Sequence, residues 1–441
     1  MKTYEPVRGM RDFLPEDLIK RRKVEEEARR LFRLYGYEEI ETPLVESSSL
    51  LSAKAGDEIR HRMYEFKDLG GRKIALRPEM TASVARIVAN RLRSEPKPIR
   101  LGYIANCFRY DNPQMGRYRE FWQAGYELFG SSKPEADAEI LTVCHDLLQR
   151  LGLNFSIKLG HVGILRGILA IQKIDESNQN TLLGLLDRGQ TRTALKIMRE
   201  LKIEKDCIDT IKRLQALKGT DTETVFAKGI EEVRLNSVAT SALENLRKIV
   251  ALVSEAGAKC PINVDLGFTR GLDYYTGMIF ELNVPQIKVA LGGGGRYDRL
   301  VSVFGGEPTP AVGCSPGIDR IVLAMEKMEL FKTSTDTKDM FLVVPVTEAQ
   351  SALSMEVASR LRQDNLQVRL EVLGRNVREA LSYASQLGFA GAILLGPREA
   401  ANCTVTLRDL KSKTQTEVPS NEIVKEARNI LANNSRQEAP L

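Results

Sequence analysis

The chain has 441 residues, 43% hydrophobic and 28% charged, which describes globular protein too long for one core, so two or three domains are expected. Its formal net charge of +6 permits a nucleic-acid partner, but from Met340 onward 12 Lys/Arg face 11 Asp/Glu, so charge locates no such site. No apolar run approaches membrane-spanning length and the six scattered cysteines make no C-x-x-C pair, which argues against a membrane span, a disulfide framework and a zinc site.

The opening MKTYEPVRGMRD lacks the apolar core of a signal peptide, and with the cysteine pattern this leads to a cytoplasmic protein as the expectation. Pro15 to Tyr35 reads as an amphipathic helix with Leu18, Ile19, Val24, Ala28, Leu31 and Phe32 on its buried side. Pro15 suits its first turn and Gly36 its C-terminal cap. IETPLVE reads as a short strand interrupted by Pro43, hence an edge. RKIALRPEMTASVARIVANRLRS is a strand entering a helix near Thr81.

YIANCFRYDNPQMGRYREFWQAGYEL, from Tyr103 to Leu128, is a strand, a Pro/Gly-marked loop and a returning strand. With a period of two, Arg117, Arg119, Phe121, Gln123, Gly125 and Glu127 share one face, and Trp122, Ala124, Tyr126 and Leu128 take the apolar other. A polar front on a greasy strand is commonly just solvated. This one is ordered, with arginines at the loop end, a glycine where something can approach the backbone, and a carboxylate at the far end. It suits a ligand with an anionic end and a donor end.

Ala136 to Leu151 is helical and NFSIKLGH an alternating strand. Arg166 to Val253 then changes to charged, helical sequence with few strand signals, read as an insertion splitting one domain. INVDLGF and MIFELNV restore strands, a Gly-rich segment follows, and Ile318 to Met328 is a helix. MELFKTSTDTKD is the linker candidate. FLVVPV, LQVRLEV, GAILLG and NCTVTLRDL alternate with helices and close with a helix from Ser420, an α/β domain. The divisions are therefore residues 1–165, the insertion 166–253, residues 254–329, a linker 330–339 and a domain 340–441.

Two further strings suggest chemistry. In TRGLDYYTGMIFE, Arg270 beside two tyrosines and an Asp can pair bidentately with phosphate or carboxylate, or the stretch is a turn with core aromatics. In LGGGGRYDRL, four glycines either let a ligand lie against the backbone or form a flexible turn. Neither a P-loop nor a dinucleotide fingerprint is present. His61, His145 and His161 are isolated, which makes Ser/His/Asp and metal-hydrolase readings poor.

These strings resemble the signatures of class II aminoacyl-tRNA synthetases, in the form used by histidyl-tRNA synthetases. FRYDNPQMGRYREFWQAGYE is similar to the second class II motif, and TRGLDYYTG to the histidine-specific signature that other members lack. The Gly-rich run with AVGCSPGIDRIVLAM resembles the third motif, and the helix ending at Gly36 with the Pro43 strand the first. RGMRDFLP and LRPEMTASVAR resemble further family elements, and GRNVREALSYASQLGFAGAILLG resembles its anticodon-binding domain. The resemblance implies an α+β catalytic domain with a mixed, mainly antiparallel sheet, a helical insertion, and a C-terminal α/β anticodon-binding domain.

It also implies roles. Arg109 would hold the α-phosphate of ATP, Arg320 the γ-phosphate, and Arg117 would lie over the triphosphate, with Asp111 beside them. Gln114 would lie near the tRNA acceptor end. Arg270 would bridge the substrate carboxylate and the α-phosphate. Glu79, Thr81, Gln123 and Glu127 would grip the α-amino group and imidazole of L-histidine, with Tyr274, Tyr275 and Tyr297 closing the pocket. Mg²⁺ would arrive with ATP, no metal being assigned to protein side chains, and the partners would be tRNA(His) and a second copy in a homodimer.

The chain departs from the family pattern at four places: Asp111 stands where Glu is more frequent, Asn112 where Arg is common, Met80 for Gly, and Asp319 for Glu. Two other readings share the fold. A catalytically inactive, histidine-sensing regulatory paralogue of ATP phosphoribosyltransferase lacks the C-terminal domain and key arginines, whereas Arg109, Arg270 and Arg320 are all present here. A class II enzyme for glycine, threonine or proline would lack TRGLDYYTG.

Overall fold

The computed structural model describes residues 4–53, 59–270, 274–331 and 337–438. It divides into two compact units, Met1–Phe331 and Lys332–Leu441. Residues 332–336 of the expected linker and Gly271–Asp273 of the TRGLDYYTG string lie outside the described residues.

In the first unit the strands are β1 (Glu38–Glu39), β2 (Val45–Ser47), β3 (Glu65–Lys67), β4 (Lys73–Leu76), β5 (Ile99–Phe108) and β6 (Glu120–Phe129). They continue as β7 (Ser156–His161), β8 (Lys218–Gly219), β9 (Ile262–Asp265), β10 (Met278–Asn283), β11 (Gly292–Arg296) and β12 (Ala311–Cys314). Nine of them form one sheet in the order β1-β5-β6-β12-β11-β10-β7-β9-β8. The pairs β1–β5 and β7–β9 are parallel and the rest antiparallel, so the sheet is mixed and mainly antiparallel. A small antiparallel sheet, β2-β4-β3, stands apart. The expected IETPLVE strand is therefore cut short: β1 ends at Glu39, before the segment, and only Val45 and Glu46 pair, in β2 at an edge of the small sheet, so Pro43 stands outside any ladder, where a missing N–H costs no bond.

The helix Pro15–Tyr35 buries Val24, Ala28, Leu31 and Phe32 and ends at Gly36, whose φ of +71° and N–H bond to the Phe32 carbonyl make the expected cap. Ile19, expected on the buried side, is 40% exposed. It stands five residues before Val24, about 140° round the helix from that stripe. The helix Pro134–Arg150 packs under the sheet, and Ser237–Glu255 packs on it and on Val162–Ile171. Between β7 and β9 the chain is helical apart from β8, and one buried cluster joins Leu182, Ile211 and Leu246 of this run with Leu128, Leu159 and Phe280 of the sheet.

The second unit adds β13 (Met340–Pro345), β14 (Gln367–Leu370), β15 (Gly391–Leu395), β16 (Thr404–Asp409) and β17 (Gln415–Pro419), ordered β14-β13-β15-β16-β17. The β13 neighbours are parallel and β16 and β17 antiparallel. Two elements were not expected: the short helix Pro397–Asn402, and β17, whose burial is confined to Val418. The LQVRLEV strand stops at Leu370, because Glu371 turns inward to accept the Leu373 N–H at 2.7 Å and pairs with Arg375 at 2.8 Å.

Candidate active site

A cavity of about 490 Å³ opens over the centre of the nine-stranded sheet. Its walls come from the β5–β6 loop (Arg109, Asp111, Arg117), β6 (Gln123), the start of the helix Thr81–Asn90 (Glu79, Thr81), the tyrosines 274, 275 and 297, and the helix Ile318–Lys327 (Arg320). Arg270 and the glycines of β11 complete it. Two expected residues stand off the wall. Gln114 is exposed, exchanging backbone hydrogen bonds with Arg117 at 3.1 and 2.8 Å in a tight turn. Glu127 lies beneath the wall, 1% exposed.

One end of the cavity is carboxylate and phenol. The Thr81 hydroxyl donates to Glu127 Oε1 at 2.8 Å, the Tyr297 hydroxyl donates to Oε2, and Tyr103 stands at 3.5 Å. Burial pushes the Glu127 carboxyl up to about 8, against the pull of the Tyr297 and Thr81 bonds and with the help of nearby Glu79. Glu79 accepts the N–H groups of Thr81 at 3.2 Å and Ala82 at 3.1 Å, so it caps that helix, yet burial still raises it. Tyr274 packs against Tyr275 and Tyr297 with ring centroids 4.9 and 5.7 Å apart, a stiff aromatic wall. The Cys107 thiol donates to Gln123 Oε1 at 3.4 Å.

The other end is guanidinium. Arg109 donates Nε to the Pro78 carbonyl at 2.8 Å and lies over Phe121, its carbon 5.2 Å from the ring centre. Arg320 donates Nε to the Gly116 carbonyl at 2.9 Å and Nη1 to Ala290 at 2.7 Å. Arg270 donates Nη1 to the Phe280 carbonyl at 2.6 Å, with Glu281 3.9 Å away. Burial, then the charges of Arg109 and Arg117, push Arg320 down to about 10. Cations held this close, with donors left toward the cavity, form a site whose electrostatics ask for a multiply charged anion.

The glycines serve the protein before any ligand. A Cβ on Gly293 would sit 1.9 Å from Arg270 Nη1, so the strand must be bare there for the guanidinium to lie across it. Likewise, what approaches Gly125 is the ring of Tyr103, whose Cζ would be 1.9 Å from an added Cβ. The run is strand β11, which settles the turn alternative. Asp111, beside the arginines, is paired to Arg62 at 2.9 Å.

Several lining residues had drawn no notice. Glu281 and Asn283 come from β10, and Asp187 from the end of the helix Glu176–Asp187. Alternation in MIFELN could have flagged Glu281; nothing local marks Asp187, which reaches the cavity only through the packing of its helix.

The sequence matches the family model described as histidyl-tRNA synthetase over residues 9–321 and that of an anticodon-binding domain over residues 341–430. It is 40% identical to the histidine–tRNA ligase of Methanocaldococcus jannaschii over 409 residues, 92% of this chain and 95% of that one. The chain belongs to the histidyl-tRNA synthetase family. The crystal structure of a histidyl-tRNA synthetase from Nostoc sp. superposes with a TM-score of 0.75 at 23% identity, covering 97% of this chain and all of the other (100%), which shows the shared class II fold. That of an ATP phosphoribosyltransferase regulatory subunit/histidyl-tRNA synthetase from Bacillus halodurans gives 0.74 at 27% identity, over 90% and 99%. The histidyl-tRNA synthetase match takes in every residue of the cavity, and the anticodon-binding match takes in all five strands of the second unit, Met340 apart, together with the start of its closing helix.

Proposed function

We infer that the chain is a histidine–tRNA ligase that joins L-histidine to ATP as histidyl-adenylate and passes it to the 3′ end of tRNA(His). The observation that carries this reading is the polarity of one cavity: four arginines (Arg109, Arg117, Arg270, Arg320) at one end and Glu79, Glu127 and three tyrosines at the other. A histidine carboxylate oxygen attacks the α-phosphorus, its new P–O bond replacing the bond to the bridging oxygen, and pyrophosphate leaves. Two anions meet in that step, so fixed cations lower the barrier without reorganising. No protein nucleophile is required.

In this reading Arg109 holds the α-phosphate, Arg117 and Arg320 the outer phosphates, and Arg270 spans carboxylate and α-phosphate. Glu79, Thr81 and Gln123 take the α-ammonium group. Glu127 and Tyr275 address the ring nitrogens, and Tyr274 and Tyr297 close the pocket; a polar pocket of this kind rejects analogues by ~10⁴-fold in favourable cases. Gln114, exposed on the loop, would meet the acceptor end of tRNA. Asp111, held by Arg62, would act on ATP through that pair.

Mg²⁺ belongs to the substrate here, carried by the triphosphate. In this reading no protein side chain is assigned to the metal. We also propose a homodimer, since β2-β4-β3 turns Val45 and Phe66, 38% and 45% exposed, onto one face that a second copy would cover. Among the described residues no helix is long and apolar enough to cross a membrane; a cytoplasmic setting and the divisions 1–165, 166–253, 254–329 and 330–339 are part of the same proposal.

The test is amino-acid-dependent ATP–pyrophosphate exchange with Mg²⁺ and no tRNA, across all twenty amino acids. Exchange with histidine alone is expected. No exchange, with histidine still raising thermal stability, would move the chain to the histidine-sensing regulatory class, against which the retained arginines and anticodon-binding domain now speak.

A further inference from the structure

Outside the residues just assigned, the segment from Gly9 to Phe13 is bound to the arginine end of the cavity by side chains and backbone together. The Gly9 carbonyl accepts the Arg119 N–H at 2.8 Å, adding the segment to the β5–β6 loop. Arg11 donates Nη2 to Asp319 Oδ1, and Asp319 Oδ2 accepts the Trp122 N–H at 2.6 Å. The Arg11 guanidinium lies between two rings, 3.3 Å from the centre of Tyr118 and 4.8 Å from Phe13. Phe13 in turn meets Trp122 edge-on at 5.2 Å. Tyr118, Trp122 and Asp319 all line the cavity, whereas Arg11 does not.

We propose that Arg11 is a positioning residue for the nucleotide: it fixes Tyr118 and Asp319, and through them the Arg117 loop and Arg320, in the geometry that receives the triphosphate. Tyr118 adjoins Arg117 on the loop and Asp319 adjoins Arg320 on its helix, so the clamp joins the elements that carry these two arginines. Arg320 already ties them through Gly116 at 2.9 Å; Arg11 is a second tie, through Tyr118 and Asp319. Asp319 is shorter than the Glu usual there, and its two oxygens are used by Arg11 and by the β6 backbone. Among the described residues no hydrogen bond or ring contact joins the clamp to Glu79, Glu127 or Tyr297, and its approach to the histidine end is through the β6 backbone at Trp122, beside Gln123. A stacked, paired arginine is a poor candidate for replacement by lysine, which keeps the charge but not the planar contact with Tyr118.

This rests on the adenylation reading, and the experiment separates the two. In histidine-dependent pyrophosphate exchange with the full chain, Arg11→Ala should raise KM for ATP roughly tenfold, the size of about 1.4 kcal/mol, with KM for histidine within about twofold of wild type. Arg11→Lys should recover part of that loss. Combined with Asp319→Asn, the Arg11→Ala effect should shrink, since both changes break one contact. Equal changes in both KM values, or none in either, would overturn the proposal; should Arg11→Ala fail to fold, an unchanged KM for ATP in Arg11→Lys would do so. Wild-type protein without exchange would instead remove the adenylation reading itself.

Discussion

Gly313 lies flat against Glu127: a Cβ added to it would stand 1.7 Å from Oε2. Strand β12 is therefore bare where the buried carboxylate needs room, and the carboxylate cannot withdraw because Thr81 and Tyr297 hold both its oxygens. Gly313→Ala is predicted to destabilise the chain by about 1–3 kcal/mol, the usual cost of overpacking, and to weaken histidine binding more than ATP binding. Urea unfolding and the two KM values check it; equal KM changes would contradict the placement of Glu127 under the histidine end.

Glu127 also sets a pH signature. Its folded-state value, about 8, lies above the ordinary 4.5 of an exposed glutamate. The stability contributed by its protonated form is complete below pH 4.5 and is lost as pH rises through about 8. Glu127→Gln mimics the protonated side chain and carries no such loss. The melting temperature of wild type should therefore fall relative to Glu127→Gln between pH 5 and roughly pH 9. A difference that stays flat over that range would show that the carboxyl is ionised throughout.

Arg270 spans the carboxylate and the α-phosphate in the proposed chemistry. Arg270→Ala should lower the exchange rate by ~10³-fold or more while costing about 1.5–3 kcal/mol of stability, one charge-assisted bond to the Phe280 carbonyl being lost. Wild-type-like exchange in this variant would remove Arg270 from the reaction.

Off the cavity wall, Arg296 donates to Asp137 at 2.7 and 3.0 Å, with side-chain exposures of 8% and 0%. Breaking such a pair leaves a buried cation short of its counter-charge. Asp137→Asn should cost about 3 kcal/mol in urea unfolding. A change below the scatter of the measurement would mean that Asp298 and the Ser131 carbonyl suffice for Arg296.

Much of this site was legible in the sequence because chemistry and spacing coincide there. Alternation along β6 put Gln123 and Glu127 on one face, and both meet the cavity side of the sheet. Alternation reports a face and not a depth, which is why Glu127, expected on the wall, lies under it. The glycines of β11 were legible as a place of close approach, but what approaches is Arg270, a residue from another segment, and no local pattern names it. Asp187 illustrates the remainder: it sits in a helical stretch with no motif and reaches the cavity through tertiary packing. Ile19 and β17 were missed for a plainer reason, a single apolar residue off the stripe and a strand whose side chains are mostly polar.

The order of the large sheet has a consequence for how the molecule comes into being. Strands β6 and β7 are sequence neighbours, yet β12, β11 and β10 stand between them. A chain emerging from the ribosome has both strands long before residues 278–314 exist to fill the gap, so two open edges wait through the synthesis of the whole helical run. The cavity is consequently among the last parts of the first unit to be completed, and a nascent fragment ending before β10 should have neither Arg270 seated on its glycine nor a floor for any ligand.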